Sequence, residues 1–392
     1  MSDLVALKLP YGPGFFEVLE SLWERGHAAL PLDPRLGARE TGRLLDEMRP
    51  ARLITPEGEQ ELPAALDVDP GTALVICTSG TTGRPKGVEL GHDALRASAQ
   101  SSVRRLDIGP GDRWLCCLPL CHIAGLMILV RSRLTGTPPL LFPRFDPGSI
   151  AIATAANLIS VVPTMLKRLL DASVDLTRFR WILVGGGPAP AALLERAGAA
   201  GARVITTYGM TETCGGAVYD GVALEGAQVK LSSEGEIALR GPMLMRSYRA
   251  RAELSARALQ EGWFHTADLG EIDADGRLRV LGRRDGLILT GAELVAPLEV
   301  EAVLREHPQV ARVRVMAAPD PEWGERVVAM VVPAAGVDPP DLQSLRSFAL
   351  ERLAAHKVPR ELVLIEKPAP SGNSAGGHPP APSPPYNWQQ RR

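Results

Sequence analysis

The sequence predicts an α/β protein: a large N-terminal domain of mostly parallel sheets flanked by helices, then a small C-terminal α+β domain. Three observations carry that expectation. Apolar strand-like runs and amphipathic helical runs alternate along most of the chain, as parallel βαβ units require. The pattern changes character past Gly282, where a helix, two strands, a helix and a strand follow in short order. The length of 392 residues is ample for two separate cores.

Residues 15–56 read as helix, strand, helix, strand: FFEVLESLWERG is amphipathic, ALPLD is a short strand, and ARETGRLLDEMRP returns as helix. ALVIC is an apolar, β-branched strand. WLCCLPL leads into a helix through IAGLMILVRSRL. PLLF, LISVV and RWILVGGG read as strands, and PTMLKRLLDA and PAPAALLERAGAA as helices, with Pro163 and Pro188 placed in first turns. The C-terminal domain comprises PLEVEAVLREHP, VARVRVMAA, ERVVAMVVP, DLQSLRSFALERLAAH and ELVLIE. The boundary falls near Arg283 and Arg284, which gives domains over 1–282 and 283–366. From Lys367 onward the chain is dominated by Pro, Gly, Ser, Asn and Gln, which cannot bury a core, so 367–392 is expected to be a disordered or aberrant tail.

The formal net charge is −2, which gives no basis for binding nucleic acid or an anionic membrane. No apolar run reaches the ~18 residues of a membrane span. The N-terminal MSDLVALKLPYGPG lacks a basic segment followed by an apolar one, so no signal peptide is expected. Cys77, Cys116, Cys117, Cys121 and Cys214 lie in or beside apolar runs without zinc-binding spacing, which fits buried free thiols and a cytoplasmic location.

The stretch with the most chemistry runs from Leu74 to Leu90. A strand feeds TSGTTGRPKG, in which Gly80, Gly83 and Gly87 allow close backbone approach and Thr78, Ser79, Thr81 and Thr82 supply hydroxyls. Lys86 adds a mobile point charge. Such a loop suits a polyphosphate, although its spacing is not that of a Walker A loop. Further along, TTYGMTETCGG places an aromatic, hydroxyls and a carboxylate together. Taken alone, Glu212 reads as a solvated loop acid.

TSGTTGRPKG resembles the phosphate loop of the adenylate-forming superfamily, which includes acyl-CoA synthetases, luciferases and peptide-synthetase adenylation domains. The resemblance extends from about Trp23 to Leu364. It implies that Tyr208 and Gly209 lie at the adenine, that Thr211 contacts the α-phosphate, and that Glu212 binds magnesium, a hard cation that shares carboxylate and phosphate oxygens. It implies that Asp268, in GWFHTADLGEID, accepts from the ribose hydroxyls and that Arg283 also reaches the ribose. Gly185, Gly186 and Gly187 would let backbone approach the adenine. Asp285 matches a hinge about which the small domain swings between half-reactions, and Gly291 matches a glycine that leaves room for coenzyme A. Lys86, Thr211, Glu212 and His122 are the catalytic set. The implied co-substrates are ATP, coenzyme A and a small carboxylic acid, with Mg²⁺ as the metal; a homodimer is left open.

CLPLCHIAGLMILVRSRLTG, ISVVPTMLKRLL and ILVGGGPAPAALLERA most resemble the 2-succinylbenzoate–CoA ligase branch, which serves menaquinone and phylloquinone biosynthesis. His122 either shapes the acid channel or caps the helix that follows. Ser160 and Thr164, and less strongly Arg131, are candidates for the acid's second carboxylate. Another acid, or a non-catalytic nucleotide-binding relative, is the alternative. The sequence departs from the superfamily at KPAPSGNSAGG, where Asn373 stands at the position of a lysine that contacts the carboxylate and α-phosphate. A frameshifted tail best accounts for the abrupt change. The others are that the loss is tolerated, with Lys357 or Lys367 recruited instead, and that the protein is a degraded relative.

Overall fold

The computed structural model describes residues 2–78, 85–283, 286–290, 293–320 and 323–365. The chain divides into two compact units, Met1–Leu287 and Ile288–Arg392.

The first unit is built on two seven-stranded sheets. In one, the strands Leu4–Leu7, Ala28–Pro31, Arg52–Thr55 and Thr72–Thr78 run parallel, and Lys86–Gly91 returns antiparallel to Thr72–Thr78. Leu4–Leu7 is fully buried at the centre of the parallel part, and the sequence reading did not assign it. A four-residue run with no alternation carries no period, so only its neighbours identify it as a strand. In the other sheet, Val204–Met210, Trp181–Val184, Leu158–Val161, Trp114–Cys116 and Leu140–Leu141 are adjacent and parallel.

The expected helix and strand order holds with local differences. PLLF contributes only Leu140–Leu141. Pro188 lies outside its helix, which spans Ala191–Ala199 with Pro190 at the N-cap. A proline disfavours helical φ/ψ in the residue before it, so Pro190 keeps Ala189 out of the helix.

The helices His92–Leu106 and Ile123–Thr135 pack on each other, and both contact the second sheet, while His92–Leu106 also contacts the strand Lys86–Gly91 of the first. This explains why IAGLMILV is apolar all round: a helix covered on most faces needs no polar stripe. Arg131 lies within this core. Its guanidinium sits 4.5 Å from the centre of the Trp114 ring and donates to Ser102 Oγ at 3.3 Å. The residue is only 6% exposed. Arg131 is therefore committed to helix packing, which corrects its candidacy as a ligand for the acid.

A five-stranded antiparallel sheet (Gln228–Leu231, Glu236–Arg240, Leu259–Gln260, Trp263–Ile272 and Leu278–Arg283) completes the unit. Of its strands, the sequence reading singled out only GWFHTADLGEID, and as a motif. The second unit packs the helices Pro297–Leu304 and Leu342–Leu350 with a sheet whose long hairpin, Val310–Asp320 with Gly324–Pro333, is joined by Glu361–Leu364 in the order read from the sequence. The second helix ends at Leu350 rather than running through His356, and the short strands Ile288–Thr290 and Glu293–Val295 add to the sheet.

Candidate active site

The parallel strands of the second sheet end together, and a ligand site in such a sheet lies beyond those carboxyl ends. The ends carry several of the candidate residues. Trp181–Val184 delivers Gly185–Gly187, and the adjacent Val204–Met210 delivers Tyr208 and Gly209. Two of these positions admit no side chain. A Cβ on Gly185 would lie 2.1 Å from Thr207 Oγ1, and one on Gly209 would lie 2.0 Å from the carbonyl oxygen of Gly215. Gly185 lets its segment lie close against the strand Val204–Met210, and Gly209 lets that strand lie close against Gly215–Tyr219, whatever else they do.

After Met210 the chain makes a single 3₁₀ turn, Thr211–Thr213, and leaves it through Cys214 in the left-handed region at φ 51°. Thr213 Oγ1 closes the turn, accepting from the Met210 amide at 2.9 Å and donating to the Gly215 carbonyl at 2.7 Å. Glu212 is thereby held in a buried position, 7% exposed. Lys86 opens the strand Lys86–Gly91, where it pairs with Thr78 across the ladder.

Glu212 and Lys86 meet. Lys86 Nζ lies 3.4 Å from Glu212 Oε1 and 3.3 Å from the Tyr248 hydroxyl, which itself donates to Glu212 Oε1 at 2.7 Å. Burial, and then the charge and hydrogen bond of Glu212, raises the Tyr248 hydroxyl well above the usual phenol range, so it stays a donor. Glu212 Oε2 has no partner among the described residues. A buried carboxylate with one oxygen held and one available fits a magnesium ion that takes its other ligands from phosphate and water. No group of three or more His, Cys, Asp or Glu side chains suited to a metal occurs among the described residues, so an all-protein metal cage is not what these side chains offer.

A second cluster lies on neighbouring elements. The Tyr208 hydroxyl donates to Asp268 Oδ2 at 2.8 Å, and Arg283 Nε lies 3.5 Å from Asp268 Oδ1. Asp268 and Arg283 face each other across the antiparallel pair formed by Trp263–Ile272 and Leu278–Arg283. Burial, then the charge of Asp268, raises the Tyr208 hydroxyl. The cluster offers a carboxylate acceptor and a guanidinium donor beside an aromatic ring, which suits a ribose next to a base.

His122 occupies the N-cap position of Ile123–Thr135, but its side chain makes no capping hydrogen bond; its carbonyl accepts from Gly125 and Leu126. The imidazole is exposed. The reading of His122 as a side-chain cap is therefore set aside. Ser160 is buried with an unpartnered hydroxyl, and Thr164 is exposed in the first turn of Pro163–Asp171. Lys357 donates to both oxygens of Glu299, at 2.8 and 2.7 Å, so it is already engaged.

Ser79, Gly80, Thr81, Thr82, Gly83, Asp285, Gly291, Lys367 and Asn373 lie outside the described residues. Tyr248 is the residue that sequence reasoning missed. RSYRA has no motif of its own, and its partners stand 36 and 162 residues away.

Two family matches cover this chain: an AMP-binding enzyme domain over residues 63–249 and an AMP-binding enzyme C-terminal domain over residues 299–372. A Mycobacterium tuberculosis protein named "Probable 2-succinylbenzoate–CoA ligase" is 41% identical over 340 residues, spanning 82% of this chain and 88% of the relative. The structure of o-succinylbenzoate CoA synthetase from Bacillus subtilis, in complex with its acyl-adenylate intermediate, matches with a TM-score of 0.82 and 33% identity over 93% of this chain and 84% of that one. The same enzyme in complex with ATP and magnesium ion matches at 0.81 and 31% identity over 93% and 86%. The chain belongs to the AMP-binding enzyme family.

Proposed function

We propose, from that membership, that this chain is an AMP-forming acid–thiol ligase that activates 2-succinylbenzoate as an acyl-adenylate and transfers it to coenzyme A, in the cytoplasm, as a step of menaquinone or phylloquinone biosynthesis. The observation that carries the proposal is the meeting of Lys86, Tyr248 and Glu212 beside the carboxyl ends of the parallel strands. The similarity to 2-succinylbenzoate–CoA ligases over most of both chains supports the choice of acid.

The chemistry has two halves. A carboxylate oxygen of the acid attacks the α-phosphorus of ATP, the bond to the β-phosphate oxygen breaks, and pyrophosphate leaves. The thiol of coenzyme A, giving its proton to solvent, then attacks the acyl carbon, the bond from that carbon to the bridging phosphate oxygen breaks, and AMP leaves with its electron pair. Magnesium, when bound, neutralises triphosphate charge. Lys86 brings its ammonium to the phosphates, and Glu212 brings its available oxygen to the metal. Asp268 and Arg283 hold the ribose, and Tyr208 stacks on the adenine. Thr78, Ser79, Gly80, Thr81, Thr82 and Gly83 cradle the phosphates. Gly185–Gly187 and Gly209 leave the base room, Thr211 contacts the α-phosphate, and His122 lines the acid channel with Ser160 and Thr164. Asp285 is the hinge and Gly291 adjoins coenzyme A. No nucleophilic side chain is required.

Asn373 removes one charged contact to the adenylation transition state, a loss of roughly 3–4 kcal/mol or ~10²–10³ in rate. The test is thioester formation from 2-succinylbenzoate, ATP, magnesium and coenzyme A by this chain and by Asn373→Lys. Activity on this acid in either protein, with little on benzoate, coumarate or fatty acids, supports the proposal. Absence of thioester and pyrophosphate in both, with ATP still bound, supports a non-catalytic nucleotide-binding protein, the reading that Asn373 favours. Supplying synthetic acyl-adenylate isolates the second half-reaction, which does not use the missing lysine.

A further inference from the structure

We infer that Tyr248 is a positioning residue for magnesium: its hydroxyl holds Oε1 of Glu212 so that Oε2 is left to the metal. The inference rests on the reading of this site as one for magnesium and ATP. It concerns a residue that touches neither and acts through the carboxylate.

The segment around Tyr248 joins two parts of the site that are far apart in sequence. On one side, the Met245 amide donates to the Glu212 carbonyl at 2.7 Å, tying the segment to the 3₁₀ turn. On the other, Ser247 and Tyr248 pair antiparallel with Glu89 and Val88, and the Arg249 amide donates to the Gly87 carbonyl at 2.8 Å, tying it to the strand that Lys86 opens. The Tyr248 amide donates to Ser255 Oγ at 2.8 Å, and the residue is 4% exposed. The ring therefore has little freedom, and its hydroxyl is delivered to Glu212 by backbone already fixed at both ends. A phenylalanine would keep this backbone, the burial and the ring face, 4.5 Å from Lys86 Nζ. It would lose only the hydroxyl, whose partners are Glu212 and Lys86.

The hydroxyl sets which carboxylate oxygen is engaged. Without it, Glu212 rotates within its side-chain torsions, and Lys86 becomes the remaining partner of Oε1. Carboxylates that bind metals are themselves held by hydrogen bonds, and losing such a partner weakens metal affinity by about 10–100-fold. Lys86 Nζ is the other contact of Oε1, at 3.4 Å, and the Tyr248 hydroxyl keeps Oε1 supplied with a donor whenever Lys86 turns to a phosphate.

The experiment uses the full chain and Tyr248→Phe with a non-hydrolysable ATP analogue, no acid and no coenzyme A. Binding of the analogue is measured by calorimetry with magnesium and again in EDTA, and thermal midpoints are recorded alongside. The expected result is that the ratio of the two affinities falls by about 10–100-fold in Tyr248→Phe, with EDTA binding and the thermal midpoint unchanged. An unchanged ratio overturns the inference, whether or not the midpoint falls, because a packing role would not respond to the metal. A wild-type protein whose analogue binding ignores magnesium overturns it as well. If the ratio falls as expected but neither protein releases pyrophosphate from any acid, the ligase reading fails and the role of Tyr248 stands.

Discussion

Replacing Arg249 by methionine should destabilise the first unit by about 3–5 kcal/mol, the cost of stranding a buried charge by removing its partner. The Arg249 side chain is 1% exposed and that of Glu89 is 10% exposed, with the two 3.1 Å apart. The guanidinium also donates to the carbonyls of Met48 at 2.5 Å, Asp67 at 3.3 Å and Arg49 at 3.3 Å, and to that of Leu66. It thus ties the end of the helix Ala38–Met48 and the segment after it to the strand that carries Lys86. Methionine replaces the aliphatic stem and none of these donors. Glu89 keeps Ser247 Oγ at 2.7 Å as its donor but loses its cation. Set against a typical total of about 5–15 kcal/mol, this is a large fraction of stability. At about 2–4 °C per kcal/mol for a unit of this size, the midpoint should fall by about 6–20 °C. Trp23, Trp114, Trp181 and Trp263 report unfolding of the unit by fluorescence in urea or on heating. A second change, Glu89→Gln, should recover at least about 1 kcal/mol in the Arg249→Met background, because it removes the stranded charge. A loss under about 1 kcal/mol, or a double variant weaker than the single one, would refute the reasoning.

Three further outcomes are expected. Lys86→Met should lower adenylation, followed by pyrophosphate release, by about 10²–10³ while the fold survives, since the half-buried ammonium is replaced by a side chain of similar length. Asp268→Asn should raise KM for ATP more than it lowers kcat, because the Tyr208 hydroxyl and Arg283 lose their carboxylate where the ribose is proposed to bind; a selective fall in kcat would contradict that placement. Burial lowers the pKa values of His92 and His307 below 6.5. The unfolded chain then binds more protons below that pH, so their contribution to stability is whole above about pH 6.5 and is lost as pH falls towards the folded values. The thermal midpoint should drop between pH 7 and pH 5, and His307→Gln should make that drop shallower.

Much of the site was legible in the sequence, and the residues show why. YGMTE is one unbroken run, so the end of the strand Val204–Met210 and the turn after it present Tyr208 and Glu212 close together. The glycines at Gly185 and Gly209 were visible as glycines, but their reason, side chains excluded by Thr207 and by the Gly215 carbonyl, appears only when two strands are adjacent. Arg131 misled because a cation in a helical run looks available, whereas here its guanidinium is buried against Trp114 and Ser102. The strand Leu4–Leu7 escaped because a four-residue apolar run carries too few residues to show a period.

By itself, the order of residues determined the alternation of strands and helices, the composition of the second unit, the run of glycines and hydroxyls in TSGTTGRPKG and the acid in YGMTE. These follow from local periodicity, backbone preference and side-chain chemistry, which act over a few residues. Only the tertiary structure decided that Tyr248 holds Glu212 beside Lys86, that Arg249 neutralises Glu89, and that Lys357 is engaged by Glu299. Each joins residues at least 36 apart in sequence, and a buried polar group takes its partner from whatever the packed chain brings within about 3 Å of it.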